Sequence, residues 1–203
     1  MKHCQNDLGG KSNGKTRPNE HQSSPGEWNV AVTFAEPTFG EARVLLAKWG
    51  KLRRTQFHNV SVMSVADPDV FREEFATAVH DEPGILNSVS HVTAFEQTFE
   101  FSDASDFERQ ARATILEWVP RLARKSFHVR LHRRGLKGII STPAEERLLD
   151  DALLEALVAA GTPGKICFDD PDAIVLIETV GNRAGLALHT RRDLAQKPFI
   201  AAD

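Results

Sequence analysis

The sequence lacks most features that announce an enzyme or a membrane protein. Only two cysteines, Cys4 and Cys167, occur in its 203 residues. Cys4 lies in a polar N-terminal stretch and Cys167 beside an apolar run, so no disulfide between them is expected. This usage fits a reducing compartment. No apolar run approaches the roughly 20 residues needed to span a bilayer, and the N-terminus has no apolar secretory core. The expectation is a cytoplasmic chain that makes no membrane contact. No GxGxxG or CxxC occurs, no phosphate loop is expected, and the first strand is not followed by a Gly-rich nucleotide turn. No pair of residues demands a general acid and base reading. The expectation is therefore a non-enzyme with no cofactor. A net charge of −3 does not advertise nucleic-acid binding, although a whole-chain sum hides local patches.

The apolar content, 41%, suffices for a packed core. Residues 1–27 fall outside it. They are rich in Asn, Gly, Ser, Lys and Gln, cannot bury enough surface to offset chain entropy, and are expected to be disordered. Lys11, Lys15 and Arg17 could brush a phosphate backbone. His3 and Cys4 have no second pair of ligands nearby to complete a tetrahedral metal site.

From Trp28 to Phe101 the pattern alternates strand, helix, strand, helix, strand. Strands are expected at 28–34, 55–65 and 88–101. A helix opens at Pro37 and runs to Trp49, with Val44, Leu45, Lys48 and Trp49 as its stripe. A second starts at Asp67-Pro68, with Asp67 as N-cap, and carries Val70, Phe71, Phe75 and Val79. This order predicts a ferredoxin-like layer of helices on a sheet. The basic group Lys48, Lys51, Arg53 and Arg54 has two readings, cations favoured at a helix C-terminus or an RNA contact. His58, His80 and His91 are scattered, without ligand spacing.

A helix over 103–119 follows, capped by Ser102 or Asp103, with Pro120 at its end and Trp118 read as core. Then Arg121, Arg124, Lys125, Arg130, Arg133, Arg134 and Lys137 run without an intervening acid. On a strand, Phe127, Val129 and Leu131 face the core, and His128, Arg130 and His132 line the other face. Arg133-Arg134-Gly135 is expected to leave the strand as a loop. Planar guanidinium forks suit phosphate, so this stretch favours anion binding over a merely solvated face. Thr142-Pro143-Ala144-Glu145 has capping-box spacing and starts a helix to Ala160, stopped by Gly161. Its N-terminal amides are expected near the Arg133-Arg134 loop. An acidic turn, Asp169-Asp170-Pro171-Asp172, leads to an apolar strand covered on both faces, Ala173–Val180. Gly181–Gly185 links it to a last strand, Leu186–His189.

These last residues resemble the THUMP domain, an RNA-binding module of RNA-modifying enzymes. The resemblance rests on Phe127-x-Val129-x-x-x-Arg133-Arg134-Gly135 and on a Ser/Thr-started helix with Glu146-Arg147-Leu148-Leu149. Asp170-Pro171-Asp172-x-x-Val175-x-Ile177-Glu178 and Gly185-x-x-x-x-Thr190-x-x-x-Leu194 complete it. It covers residues 103–194, and the preceding unit resembles the ferredoxin-like domain that commonly stands before THUMP. The fold expected is α+β (α/β), with a ferredoxin-like domain over 28–101 and an α/β THUMP domain over 103–200. The order is similar to stand-alone THUMP proteins that serve tRNA cytidine acetylation. The resemblance implies tRNA binding, at the acceptor end, with catalysis in a separate domain or chain.

The reading is a non-catalytic tRNA-binding adaptor for a separate RNA-modifying enzyme, with a tRNA acetyltransferase as the first candidate. RNA contacts are expected from Arg130, His132, Arg133, Arg134, Lys137, Arg191 and Arg192, with Lys125 and Lys197 peripheral. Arg191-Arg192 could instead form a charged turn. Three rivals stand beside it. One is a detached RNA-binding subunit of a thiolating or methylating enzyme, another an enzyme in its own right. The third is a protein-interaction module whose basic strip meets an acidic partner.

Overall fold

The computed structural model describes residues 27–34 and 37–200. The reading of the N-terminal tail, with His3, Cys4, Lys11, Lys15 and Arg17, lies outside the described residues.

The first sheet contains β1 (Val30–Thr33), β2 (Arg53–Arg54), β3 (Val60–Met63) and β4 (His91–Ala94), in the order β2-β3-β1-β4. Every neighbouring pair is antiparallel. Helix α1 (Phe39–Leu46) joins β1 to β2, and α2 (Pro68–Asp81) joins β3 to β4. This interleaving of two strand–helix–strand crossovers is the ferredoxin-like arrangement. Asp67 caps α2 as expected, accepting from the amides of Asp69 and Val70 at 2.9 and 3.1 Å. Phe71, Phe75 and Val79 of α2 are buried on Val30 and Val32.

The first helix departs from expectation. It starts at Phe39 rather than Pro37, and it buries Ala42 and Leu46, leaving Val44 73% exposed. Eight residues make barely two turns, so two small or aliphatic contacts fix the buried face. Of the strand expected over 55–65 only β3 forms; its first residues are a turn, where Asn59 takes φ +58°, that folds β3 back on β2.

The β stretch expected over 88–101 is also two strands, and they belong to different sheets. Phe95 N–H donates to the carbonyl of Asn29, just before β1, and Glu96 N–H to that of Leu186 in the second sheet, both at 2.9 Å. β5 (Gln97–Glu100) is therefore an edge of the second sheet. Next come α3 (Ala104–Leu116), a short α4 (Val119–Leu122), β6 (Ser126–Arg134), α5 (Thr142–Ala159), β7 (Lys165–Ile166), β8 (Ala173–Val180), β9 (Arg183–Thr190) and α6 (Arg191–Gln196). The sheet order is β5-β9-β8-β6-β7, with β6 parallel to β7 and β8. Pro120 restarts a helical turn instead of ending one, and Trp118 is core, at 5% exposure.

Helices α3 and α5 cover one face of the second sheet through Phe127, Val129, Leu131, Val175 and Ile177. The other face meets the first unit, where Trp28, Phe95, Val180 and Ala187 form an apolar contact. Trp28 and Phe95 meet edge to face at 5.5 Å. Glu178, the end of the Pro-Asp strand motif, is buried in this contact and accepts from Thr93 Oγ1 at 2.7 Å. A carboxylate withdrawn from water needs such a donor. Phe199 and Ile200 return to the first unit, where Phe199 packs edge to face on Phe75 at 4.9 Å.

Candidate nucleic-acid interface

Alternation along β6 sends odd and even residues to opposite faces. Phe127, Val129 and Leu131 enter the helix-covered core, as expected. His128, Arg130, His132 and Arg134 stand on the other face, in register with Ile174, Leu176, Glu178 and Val180 of β8. That face is covered by the first unit over β8 and β9 but opens toward β6. His128 and Arg130 line a cleft at the margin of the contact between the units, and His132 and Arg134 continue along the same face of the strand.

Near the start of β6 the cleft deepens to about 560 Å³. His128, Arg130 and Ile174 form its floor, Phe168 to Pro171 one wall, and Leu194, Pro198 and Ile200 the other. Phe168 is 68% exposed, and its ring lies 5.2 Å from that of His128 at a 39° tilt. His128 Nδ1 donates to the Cys167 carbonyl at 2.8 Å, and Nε2 has no partner. Burial holds the His128 pKa below its ordinary value, so the ring is neutral at pH 7 and Nε2 is its bare lone pair.

The expected contact residues divide. Arg130 and Arg134 make no ion pair with any described residue, and Arg130 Nε is buried without a partner. His132 stands between them, opposite Glu178. Arg133 and Arg134 belong to β6 rather than to a loop, because the ladder to β8 runs to Val180. Arg133 points to the helix side and donates to the Gly135 carbonyl. Lys137 is exposed in the following loop, where Gly135, Leu136 and Gly138 take positive φ. Lys125 lies before β6 and beside Asp172, roughly 30 Å from Arg134 by strand rise.

Three other residues have structural employment. Arg191 binds Asp170 at 2.9 Å and Asp172 at 3.2 Å, pinning the acidic turn. Arg192 is exposed, and its Nε donates to Gln196 at 3.2 Å. Lys197 corrects the expectation of a peripheral contact. Its side chain is 6% exposed, and its ammonium is held by Asp193 at 2.9 Å and Glu73 at 3.2 Å, a link between the units. Arg191-Arg192 opens a helix rather than a turn, since Thr190 and Asp193 form a capping box. Hydrogen bonds from Thr190 and Lys197 hold the Asp193 carboxyl well below its ordinary range, against the opposing effect of burial.

Helix α5 supports β6 from behind. β7 pairs only with Ser126 and Phe127, which leaves later edge amides of β6 without a strand. Asp150 accepts from Val129 N–H and Glu146 from Leu131 N–H, both at 2.8 Å. The expected capping box of α5 does not form. Ser141 is the N-cap and makes no side-chain cap bond, and Glu145 is buried.

Burial raises the Asp150 pKa from 3.8 to about 7. The folded state therefore keeps a proton that the unfolded chain releases, and stability falls as pH rises from about 4 to about 7. Asp150→Asn keeps the acceptor for Val129 and removes the charge. Urea unfolding at pH 8 is expected to show the variant about 2 kcal/mol more stable, with the two proteins converging at pH 4. Equal stability at both pH values would show that Asp150 ionises without cost.

Sequence reasoning missed Phe168 and the apolar wall from α6 and residues 198–200. An aromatic beside an acidic turn, on no helix or strand period, is the one signal that could have flagged Phe168. It also passed over Gly9-Gly10-Lys11-Ser12-Asn13-Gly14-Lys15-Thr16, which has phosphate-loop spacing. The motif lies outside the described residues.

No family model matches the chain, and a search of curated proteins finds no match. Solved structures do match. PH1313 from Pyrococcus horikoshii superposes with a TM-score of 0.56 at 11% identity, over 79% of this chain and 53% of that one. TrmN from Thermus thermophilus gives 0.51 at 18% identity, over 78% and 44%. A 4-thiouridine synthetase, solved in complex with RNA and ATP, gives 0.50 at 12% identity, over 80% and 41%. This chain thus spans about half of each matched chain. At these identities the likeness concerns the fold, and the fold is α+β of the THUMP type, a ferredoxin-like unit followed by an α/β unit.

Proposed function

We propose that this chain is a non-catalytic tRNA-binding adaptor, which holds the single-stranded acceptor end of tRNA for a separate RNA-modifying enzyme. The observation that carries the reading is the cleft along β6. Arg130 stands there without an ion-pair partner, beside an exposed aromatic ring, and Arg134, likewise without an ion pair to a described residue, continues the basic face further along the strand. Guanidinium groups take phosphates in bidentate fashion. Phe168 offers a face for an unstacked base, and RNA proteins read single-stranded ends by such stacking and by base-edge hydrogen bonds. The shared fold of a synthetase solved with RNA bound supports the same reading.

A supporting role in catalysis by another chain fits the titratable groups of the cleft. Asp170 is committed to Arg191, and His128 Nδ1 to a backbone carbonyl. The enzyme served is proposed to be a tRNA cytidine acetyltransferase, from the similarity of domain order. A thiolating or methylating enzyme is the alternative, and a pull-down naming the partner chain decides between them.

The test is binding of intact tRNA and of tRNA lacking its 3′ end at several salt concentrations. Dependence on the 3′ end is expected, with affinity falling steeply as salt rises. Equal, weak binding of both RNAs would remove the acceptor-end reading.

A further inference from the structure

A second basic surface lies on the first unit, away from the cleft. Where α1 ends and the chain turns toward β2, a hollow of about 410 Å³ is lined by Arg43, Lys48, Trp49, Lys51 and their neighbours. Three cations and no carboxylate line it. Arg43, Lys48 and Lys51 are all exposed, and none forms an ion pair with a described residue. Glu74, which accepts from Trp49 Nε1 at 2.7 Å, forms no ion pair with these cations. Arg53 and Arg54, adjacent in sequence, are drawn away, Arg53 to the Glu27 carbonyl and Arg54 over the Phe39 ring at 3.9 Å.

The C-terminal dipole of α1 accounts for one nearby cation. It does not account for three around one hollow, where mutual repulsion opposes the arrangement. The turn that presents Lys48 and Lys51 is also fixed. A Cβ at Gly50 would stand 2.6 Å from the Ser64 carbonyl oxygen, so the backbone lies directly against the chain that follows β3. Nor is the aromatic free to stack on a base. Lys48 Nζ lies 3.9 Å from the centre of the Trp49 ring, and Phe71 and Phe75 meet that ring edge to face. The hollow offers positive charge on a rigid support and no means of reading a base.

We infer that the Arg43–Lys48–Lys51 hollow is a second RNA contact, which takes the sugar-phosphate backbone of the helical stem next to the single-stranded end held in the cleft. This rests on the RNA-binding reading. It divides the labour between the units, since the cleft holds the end and the hollow registers only that a charged stem continues from it.

The experiment uses the full chain carrying Arg43→Gln/Lys48→Gln/Lys51→Gln. The probes are a hairpin RNA with a single-stranded 3′ tail and the tail alone as a short oligonucleotide, each titrated at several salt concentrations. Hairpin affinity is expected to fall about ten-fold or more, and its salt slope to become shallower by about two. The tail alone should bind as before, and the unfolding midpoint should not move. Unchanged hairpin affinity and slope would overturn the inference, leave the RNA reading intact, and return the hollow to an acidic protein partner or to the helix dipole. An equal loss on the tail alone would overturn it as well. Failure of the unsubstituted chain to bind either probe would remove this inference together with the RNA reading.

Discussion

Arg130→Gln/Arg134→Gln is expected to lower RNA affinity about 100-fold at moderate salt and to flatten the salt dependence by about 1.5 in slope. These two guanidinium groups stand on one face of β6, two pleats apart, and neither is neutralised by a described carboxylate. Replacing them removes two phosphate contacts without exposing a buried acid, so the fold should persist. Arg133→Gln is the control that separates position from charge. Arg133 carries the same charge one residue away, but it points to the helix side and already donates to Gly135. Its replacement should change affinity less than three-fold, since a cation turned from the ligand contributes little. Lys197→Gln should act differently again, lowering stability through loss of the link to Glu73 and Asp193 while leaving the cleft charge as it was. Equal effects of the Arg133 change and the double change would show that RNA responds to overall charge and that the strip has no special role.

A second large effect is expected far from any charge. Gly185 lies in β9, between Thr98 of β5 and Glu178 of β8. A Cβ there would come within 2.4 Å of the Phe95 ring. Phe95 cannot retreat, because it is 1% exposed, wedged against Trp28, and its own N–H is bonded to Asn29. Gly185→Ala should therefore cost about 3 kcal/mol, which for a chain of this size lowers the thermal midpoint by about 10 °C. Gly185→Val should cost more and reduce soluble yield. Phe95→Leu should return part of the loss, so that the double variant is more stable than the sum of the single effects predicts. Strict additivity would show that Gly185 and Phe95 do not contend for the same space.

The sequence signalled parts of this fold unequally. β6, β8, α2 and α3 were legible because period and capping agree. Asp67 ahead of Pro68, and Phe127, Val129 and Leu131 on one face, point to the structures observed. The passage from β4 to β5 was hidden. Val92 to Phe101 alternates without a turn residue, and nothing local tells that Phe95 bonds to Asn29, just before β1, and Glu96 to the second sheet. Gly185 looked like part of a link because glycine usually marks a turn. Its function is to admit a ring from another strand, a fact of tertiary structure alone. The charged strip of the cleft was readable from alternation. Which cations are already paired was not, because Lys197 finds Glu73 more than a hundred residues away in sequence. Arg43 escaped notice for the complementary reason, since it lies on the helix before the turn that carries Lys48 and Lys51.

The return of Phe199 and Ile200 to the first unit bears on how the chain is made. Phe75 meets Phe199, and the Val92 amide of the edge strand β4 donates to the Phe199 carbonyl at 2.8 Å. On a ribosome, the first sheet would emerge with this seat empty and its edge unpaired, and would wait for about a hundred further residues before closing. N-terminal domains usually fold as soon as they are synthesised. Here the last clasp of the first unit arrives with the second, so the two should mature together, and the first, cut out alone, should remain loose at β4.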